Sequence, residues 1–244
     1  MNPQERDPDK VWLGDTEWYL DLSDYTLTHD GEQIATCYSL SPTVLLKTML
    51  VQLGEQTPDG HLIDGPTATW FEINRQLRLD PNFRFEFSSS PTKFEEFLAG
   101  GYKLQGWDAV TLTPQSGDKG RDIIAVTATL SQMKVLDQAK AYGAGHLVGQ
   151  NDVRAILGVL TREQDASKGV ITTTSDFAPG IMDEFEKMMP YRIETKNGQE
   201  FLEWTKAIWA ADADDTQSSG PKLKKPPPGW IEPQIMPRSK RKPN

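Results

Sequence analysis

Cysteine, histidine and long apolar runs are scarce in this sequence. A single cysteine, Cys37, excludes an internal disulfide framework and a multi-thiolate zinc site. The three histidines, His29, His61 and His146, lack the spacing of a metal site built from histidine and cysteine. No apolar run approaches the roughly 18 residues of a membrane span. The polar segment Met1–Lys10 lacks the apolar core of a signal peptide, so we expect a cytoplasmic protein without a membrane contact.

Basic residues are also outnumbered, and the net charge of the 244-residue chain is −9. The charge is unevenly distributed, because residues 221–244 contain seven basic residues and one acid. That segment therefore carries +6, and residues 1–220 carry −15. A contact with nucleic acid would have to use local basic clusters or bound cations. The overall charge does not exclude DNA as a partner.

The composition divides the chain into three parts. Residues 1–88 predict a small α+β module, in which short strands precede helical patterns at about 41–53 and 66–79. This module holds no chemical motif, so its role stays open between recognition and interaction with a partner. Residues 211–244, with seven prolines after position 220, cannot bury enough apolar surface to fold, which predicts a disordered tail.

Residues 89–210 predict an α/β domain. A helix beginning at Pro91 is followed by two strands, a third strand, a helix and a further strand, so the order is α-β-β-β-α-β. The predicted ranges after that first helix are 107–112, 122–129, 134–140, 151–160 and 169–174.

Four polar residues stand at the ends of these elements. Asp122 begins the second strand, and Gln138 and Lys140 are two positions apart on the third, so their side chains share one face of the sheet. Asp137 points the other way. On the first helix, Glu95 lies at the margin of the apolar stripe and can reach the sheet, whereas its neighbour Glu96 is predicted to face water.

A carboxylate, an amide oxygen and a lysine on adjacent strand ends suit the hydrolysis of phosphodiesters. Mg²⁺ prefers hard oxygen ligands and bridges to substrate phosphates, and it activates water and screens the phosphate charge. We expect Asp122 and Gln138 to hold the metal, with Glu95 as a further direct or water-mediated ligand. Lys140 would orient the attacking water or stabilise the transition state.

These residues, in this order, resemble the PD-(D/E)xK nuclease superfamily and, within it, the Mrr-like restriction endonuclease domain. The likeness covers roughly residues 91–205. It is carried by Phe94-Glu95, the Ser116–Ala125 segment around Asp122, Gln138-Ala139-Lys140-Ala141-Tyr142, and the strand and turn Gly169–Phe177. No single motif is specific, but their order and spacing together are.

The resemblance implies a restriction-endonuclease-like fold with a mixed central sheet. It also implies Mg²⁺-dependent cleavage of foreign or modified DNA in bacterial defence, with Mn²⁺ as a substitute metal. In this family pattern Asp122 is the metal ligand, Gln138 replaces the commoner glutamate, Lys140 is the catalytic lysine and Glu95 is the helix acid.

Several alternatives stay open on the sequence alone. Lys119 and Arg121 flank Asp122 and are either phosphate contacts or solvated turn charges. The neutral Gln138 also suits a catalytically silent subunit that binds DNA or joins a complex, and the same core serves nucleases specific for junctions or RNA. A homodimer, or a partner subunit bound through the N-terminal module or the tail, is compatible with the sequence.

Overall fold

The structure is a computed structural model of the chain. It describes residues 45–114, 120–128 and 132–208 with their side chains, and residues 10–12, 19–21, 26–29, 32–36 and 209–215 by their backbone. The chain divides into two compact units: the first combines Met1–Ser41 with Asp212–Asn244, and the second is Pro42–Ala211. Among the helices of the described ranges, none is both long and apolar enough to cross a membrane.

The described part of the first unit contains a four-stranded antiparallel sheet. Its strands are paired in sequence order, and they lie close to the short strands that the sequence predicts. They are β1 (Lys10–Trp12), β2 (Tyr19–Asp21), β3 (Thr26–His29) and β4 (Glu32–Thr36).

The second unit begins with a hairpin, β5 (Val51–Thr57) and β6 (Gly60–Pro66), and then alternates helices and strands. The elements that follow are α1 (Ala68–Leu79), a 3-10 helix (Pro81–Ser89), α2 (Pro91–Leu104), β7 (Ala109–Leu112), β8 (Ile123–Thr127), β9 (Met133–Lys140), β10 (Leu147–Val148), α3 (Gln150–Arg162), β11 (Lys168–Thr173), β12 (Asp176–Phe177), α4 (Ile181–Phe185), a short 3-10 helix (Glu186–Met188), β13 (Ile193–Lys196) and α5 (Gly198–Asp215). The predicted order α-β-β-β-α-β corresponds to α2, β7, β8, β9, α3 and β11, with the two-residue β10 as an addition.

A seven-stranded mixed sheet forms the centre of this unit. Its spatial order is β13-β11-β9-β8-β7-β6-β5. The pairs from β5 to β9 are antiparallel, whereas β9, β11 and β13 are parallel neighbours. The parallel pairs follow from the helical crossovers, since parallel neighbours need a long connection. The predicted α/β class with a mixed central sheet is therefore confirmed.

Three features of the predicted organisation differ from the structure. The predicted helix over 41–53 is wrong at its end, because residues 51–57 form β5 and pair with β6. A short apolar run does not distinguish helix from strand, and here the strand partner decides. Since β6 also pairs with β7, the sheet continues across the boundary predicted at residue 88. At the other end, residues 211–215 continue α5, and residues 216–244 lie outside the described part of the chain.

The core lies in two layers, one on each side of the sheet. Alternate residues of β8 enter different layers: Ile123 and Ala125 pack with α2, whereas Ile124 packs with α3. The first layer contains the aromatic residues Trp70, Phe87, Phe94, Phe97 and Phe201, and the second contains Leu136, Val153, Ile156, Ile171 and Ile193.

Candidate active site

Strand β9 directs neighbouring side chains to opposite sides of the sheet, as the alternation of a strand requires. Lys140 lies on the side of α3, where its Nζ is 3.0 Å from Oδ1 of Asp152. Asp137 lies on the side of α2, where the hydroxyl of Tyr102 donates a hydrogen bond to its Oδ2 over 2.9 Å. Gln138 is two residues before Lys140 and shares its face. Gln138 and Lys140 therefore lie on one face of the sheet and Asp137 on the other, as the strand alternation predicts.

Asp122 comes directly before β8, and its carboxylate reaches across to β9. Its Oδ2 accepts a hydrogen bond from the backbone N–H of Ala139 over 2.8 Å. The backbone N–H of Asp122 donates to the carbonyl oxygen of Asp137 over 3.0 Å. Because Ala139 lies between Gln138 and Lys140, these bonds bring Asp122 beside the two other predicted site residues.

The amide oxygen of Gln138 is buried without compensation. The residue is 8% exposed, and its Oε1 has no hydrogen-bond partner among the described residues. Burying such an oxygen unpaired costs about 1–3 kcal/mol, and folded proteins usually satisfy these atoms. A cation would satisfy it, because amide oxygens belong to the hard ligands that Mg²⁺ accepts.

Lys140 is held through both its backbone and its side chain. Its carbonyl oxygen accepts hydrogen bonds from Thr173 Oγ1 over 2.8 Å and from the N–H of Thr174 over 3.2 Å. Its side chain is 20% exposed and ends at the carboxylate of Asp152. Asp152 is not among the residues that the sequence motifs predict for the site. An acid in the first turn of the helix that follows the lysine strand is the signal that points to it.

Of the two basic residues that precede Asp122, the structure describes one. Lys119 lies outside the described residues. The side chain of Arg121 is 4% exposed and forms ion pairs with Asp59 at 2.8 Å and with Glu163 at 2.6 Å. Arg121 is therefore not a solvated turn charge, because both terminal nitrogens of its guanidinium are paired within the protein, and its DNA contact stays a prediction.

The two glutamates of α2 are both half-buried. Glu96, expected to face water, is engaged instead: its Oε2 accepts a hydrogen bond from the N–H of Leu50 over 2.8 Å, and its Oε1 pairs with Lys93 at 2.6 Å. Glu95 lies on the same helix, whose apolar side chains pack on the face opposite to α3. Its role at the metal stays a prediction.

Asp137 forms a buried polar cluster with residues from two other elements. It accepts hydrogen bonds from Tyr102 on α2 and from Thr172 Oγ1 on β11 at 3.0 Å. Burial raises the pKa of Asp137 from 3.8 to about 6, although the hydrogen bonds from Tyr102 and Thr172 oppose the shift. Burial also raises the pKa of Tyr102, and the charge of Asp137 raises it further. The cluster joins α2, β9 and β11 directly behind the candidate site.

The donor set at the site fits a magnesium ion. In the ranges with described side chains, no three His, Cys, Asp or Glu residues are grouped to hold a metal by themselves. The site instead offers the carboxylate of Asp122 and the amide oxygen of Gln138, which accepts no hydrogen bond from any side chain or backbone group in those ranges. Mg²⁺ commonly keeps several waters and takes one or two protein carboxylates plus substrate phosphate. Two protein oxygens next to a lysine are compatible with this type of coordination.

Three solved structures resemble the chain, and it spans less than half the length of each. They are the DNA modification-dependent restriction endonuclease AspBHI (19% identity, TM-score 0.42, 61% of this chain and 42% of that one), the MspJI restriction endonuclease in complex with a 27-mer oligonucleotide (22%, 0.33, 64% and 36%) and the restriction endonuclease FokI (12%, 0.40, 59% and 31%). No curated protein is significantly similar to the chain in sequence.

The sequence of one part of the chain also matches a family model. Residues 88–205, just under half of the chain, match the sequence model of the Mrr catalytic domain, which is described as a restriction endonuclease. The matched range runs from the end of the 3-10 helix before α2 into α5 and contains Glu95, Asp122, Gln138 and Lys140. The resemblance seen in the sequence is thereby confirmed: residues 88–205 are similar to the restriction endonuclease domain that this model describes.

Proposed function

We propose that this protein is a metal-dependent DNA endonuclease that hydrolyses phosphodiester bonds in foreign or modified DNA, as part of a restriction defence. Mg²⁺ is the proposed cofactor and Mn²⁺ a substitute. One observation carries the proposal: the carboxylate of Asp122 binds the N–H between Gln138 and Lys140, next to a buried amide oxygen for which the described residues supply no hydrogen bond.

Each residue has a distinct part in the proposed reaction. Asp122 and Gln138 would hold the cation, with Glu95 as a further direct or water-mediated ligand. The cation supplies Lewis-acid activation of water and screening of the phosphate. Lys140 carries its ammonium at the end of β9, where it can neutralise the charge that grows on the phosphate oxygens. Because Gln138 is neutral, the site is less negative than one with two carboxylates, so substrate phosphate would contribute much of the metal affinity.

The test is cleavage of supercoiled plasmid with Mg²⁺ and with EDTA. Asp122→Asn keeps an oxygen for the Ala139 N–H and removes the charge, and Lys140→Met keeps most of the stem. Both should lose at least about a hundredfold in rate while binding DNA like wild type. Asp165→Asn, an exposed acid paired with Lys134, and Lys168→Met, whose partner is Glu194, are the matched controls and should cleave normally.

A catalytically silent DNA-binding or complex-forming subunit is the second candidate, because Gln138 supplies no charge to the metal. In that case the wild type would bind plasmid and leave it intact with either metal. Methylated and unmodified plasmids in parallel separate a modification-dependent enzyme from a general one. Cleavage restricted to branched DNA or RNA would assign a structure-specific nuclease.

We further propose that two copies act together on duplex DNA, since cutting both strands needs two such sites. Light scattering of the protein with a short duplex should give a mass of two chains per duplex. A partner subunit bound through residues 1–88 or the tail is the alternative, and a persistent one-to-one complex that still cuts both strands would contradict the homodimer.

A further inference from the structure

The carboxylate of Asp152 divides its two oxygens between a helix and the candidate catalytic lysine. Oδ2 accepts a hydrogen bond from the N–H of Gly149 over 3.0 Å, which is the reciprocal half of a capping box at the start of α3. Oδ1 contacts the ammonium of Lys140 at 3.0 Å. One side chain therefore joins the end of β9 to the first turn of α3.

The position of this carboxylate is fixed by the fold. Its neighbour Val153 is fully buried, as is Ile156 one turn further on, so the first turn of α3 is anchored to the sheet. The Gly149 bond sets the rotation of the carboxylate, which leaves Oδ1 directed at Lys140. Lysine has a long flexible stem, and a rigid acceptor at its end limits the positions that the ammonium samples.

We infer that Asp152 is a positioning residue that sets the location of the Lys140 ammonium for phosphodiester cleavage. The inference rests on the proposed function and assigns no metal or DNA contact to Asp152. An ammonium already held near its working position loses little freedom when substrate arrives, and this pre-organisation lowers the barrier of the chemical step. A residue that supports a reacting group in this way typically contributes about 10- to 100-fold.

The decisive variant is Asp152→Asn, which retains an oxygen for the Gly149 N–H and removes the charge facing Lys140. The matched control is Glu184→Gln, which breaks the ion pair between Arg154 of the same helix and α4 without approaching Lys140. In single-turnover plasmid cleavage we expect Asp152→Asn to be about 10- to 100-fold slower, with DNA affinity and the Mg²⁺ midpoint unchanged. Glu184→Gln should cleave at the wild-type rate.

A second measurement does not depend on activity. Acetic anhydride acylates accessible, mobile lysine amines, and mass spectrometry reports the modified fraction at each position. Asp152→Asn should raise the labelling rate of Lys140 several-fold, while Lys168 in the same sample stays at its wild-type rate. Glu184→Gln should change neither.

The outcomes separate this inference from the proposed function. Unchanged Lys140 labelling in Asp152→Asn overturns the positioning role whether or not the protein cleaves DNA. Unchanged or faster cleavage overturns it as well, and a shifted Mg²⁺ midpoint makes Asp152 a metal ligand instead. If wild type cleaves nothing while the labelling responds as expected, the contact is real but the endonuclease proposal fails, and the positioning role in cleavage fails with it.

Discussion

At the scale of single residues, Asp137 makes the fold sensitive to pH. The folded protein holds its proton up to about pH 6, whereas the ordinary value is 3.8. Its contribution to the free energy of unfolding is therefore greatest below pH 4, falls as the pH rises towards 6 and is constant above. The shift corresponds to about 3 kcal/mol in all. The Tyr102 and Thr172 hydroxyls both donate to this carboxylate, so they stabilise its charged form without cancelling the cost of burial.

Urea unfolding of wild type and Asp137→Asn between pH 4.5 and 8 measures this contribution. The stability of wild type relative to the variant should decrease across pH 4.5–6 and then level off, because only wild type carries the titrating group. A difference that is flat with pH would show that Asp137 titrates normally in the folded protein.

Arg121 gives a second prediction at this scale. Removing its guanidinium in Arg121→Met leaves Asp59 and Glu163 without their shared cation, and we expect a loss on the order of 2 kcal/mol in the free energy of unfolding. The control Lys168→Met breaks a more exposed pair and should cost less than about 1 kcal/mol. The DNA affinity of folded Arg121→Met tests the predicted DNA contact. Weakened DNA binding would support the role that the sequence suggested, and a wild-type affinity would contradict it.

Residues next to the candidate site show what sequence spacing can and cannot predict. The shared face of Gln138 and Lys140 follows from strand alternation, which is local. The ion pairs of Arg121 with Asp59 and Glu163 connect the loop before β8 to residues 62 and 42 positions away, and no local pattern encodes them. Asp152 was missed for a similar reason, since its contact with Lys140 depends on how α3 docks.

At the scale of elements, two glycines in helices have opposite roles. A Cβ on Gly101 of α2 would lie 2.2 Å from the Trp204 ring of α5, whereas a Cβ on Gly158 of α3 would meet nothing within 4 Å. Gly101→Ala should therefore lower stability by about 1–3 kcal/mol through overpacking. Gly158→Ala should raise it by up to about 1 kcal/mol through helix propensity.

Thermal unfolding of both variants at pH 7.5 tests the pair, and each variant controls for the other. Equal changes in Tm would show that helix propensity dominates and that α2 and α5 are not closely packed at Gly101. A Gly158→Ala variant less stable than wild type would place an additional contact on the exposed face of α3.

Most helices and strands were predictable because their signals are local. Pro91 begins α2 as expected from its fixed φ, and the β-branched run before Ser175 forms β11. The helix expected over 41–53 was wrong because Val51 and Leu53 pair with β6, a choice that the apolar pattern leaves undecided. The helix predicted over 151–160 begins one residue earlier, at Gln150, with Gly149 at its N-cap.

At the scale of the whole molecule, the core around the seven-stranded sheet extends to the N-terminal side of the family match. Trp70 of α1 stacks on Phe97 of α2 at a centroid distance of 4.7 Å, and its Nε1 donates to the carbonyl oxygen of Phe97 over 2.7 Å. Leu50, Ile73 and Leu77 belong to the same apolar layer. The unit Pro42–Ala211 is therefore larger than the domain 89–210 that the sequence predicts.

Expressed fragments test this extension. Residues 42–215 should unfold cooperatively in urea, because they retain the seven-stranded sheet and both core layers. Residues 89–210 should lose that cooperative transition, since they expose the surface that α1, β5 and β6 cover. A stable, cooperative 89–210 fragment would show that β5, β6 and α1 are not needed for the core to fold.

The alternation along β9 has a consequence for how insertions and deletions are tolerated. A slip of one residue would exchange the two faces of the strand, so the ammonium of Lys140 would enter the aromatic layer and Asp137 would leave its hydroxyl partners. Burying an unpaired ammonium is expensive enough to suppress the slipped pairing. The opposed side chains of Asp137 and Lys140 thus penalise an incorrect alignment of the strand during folding.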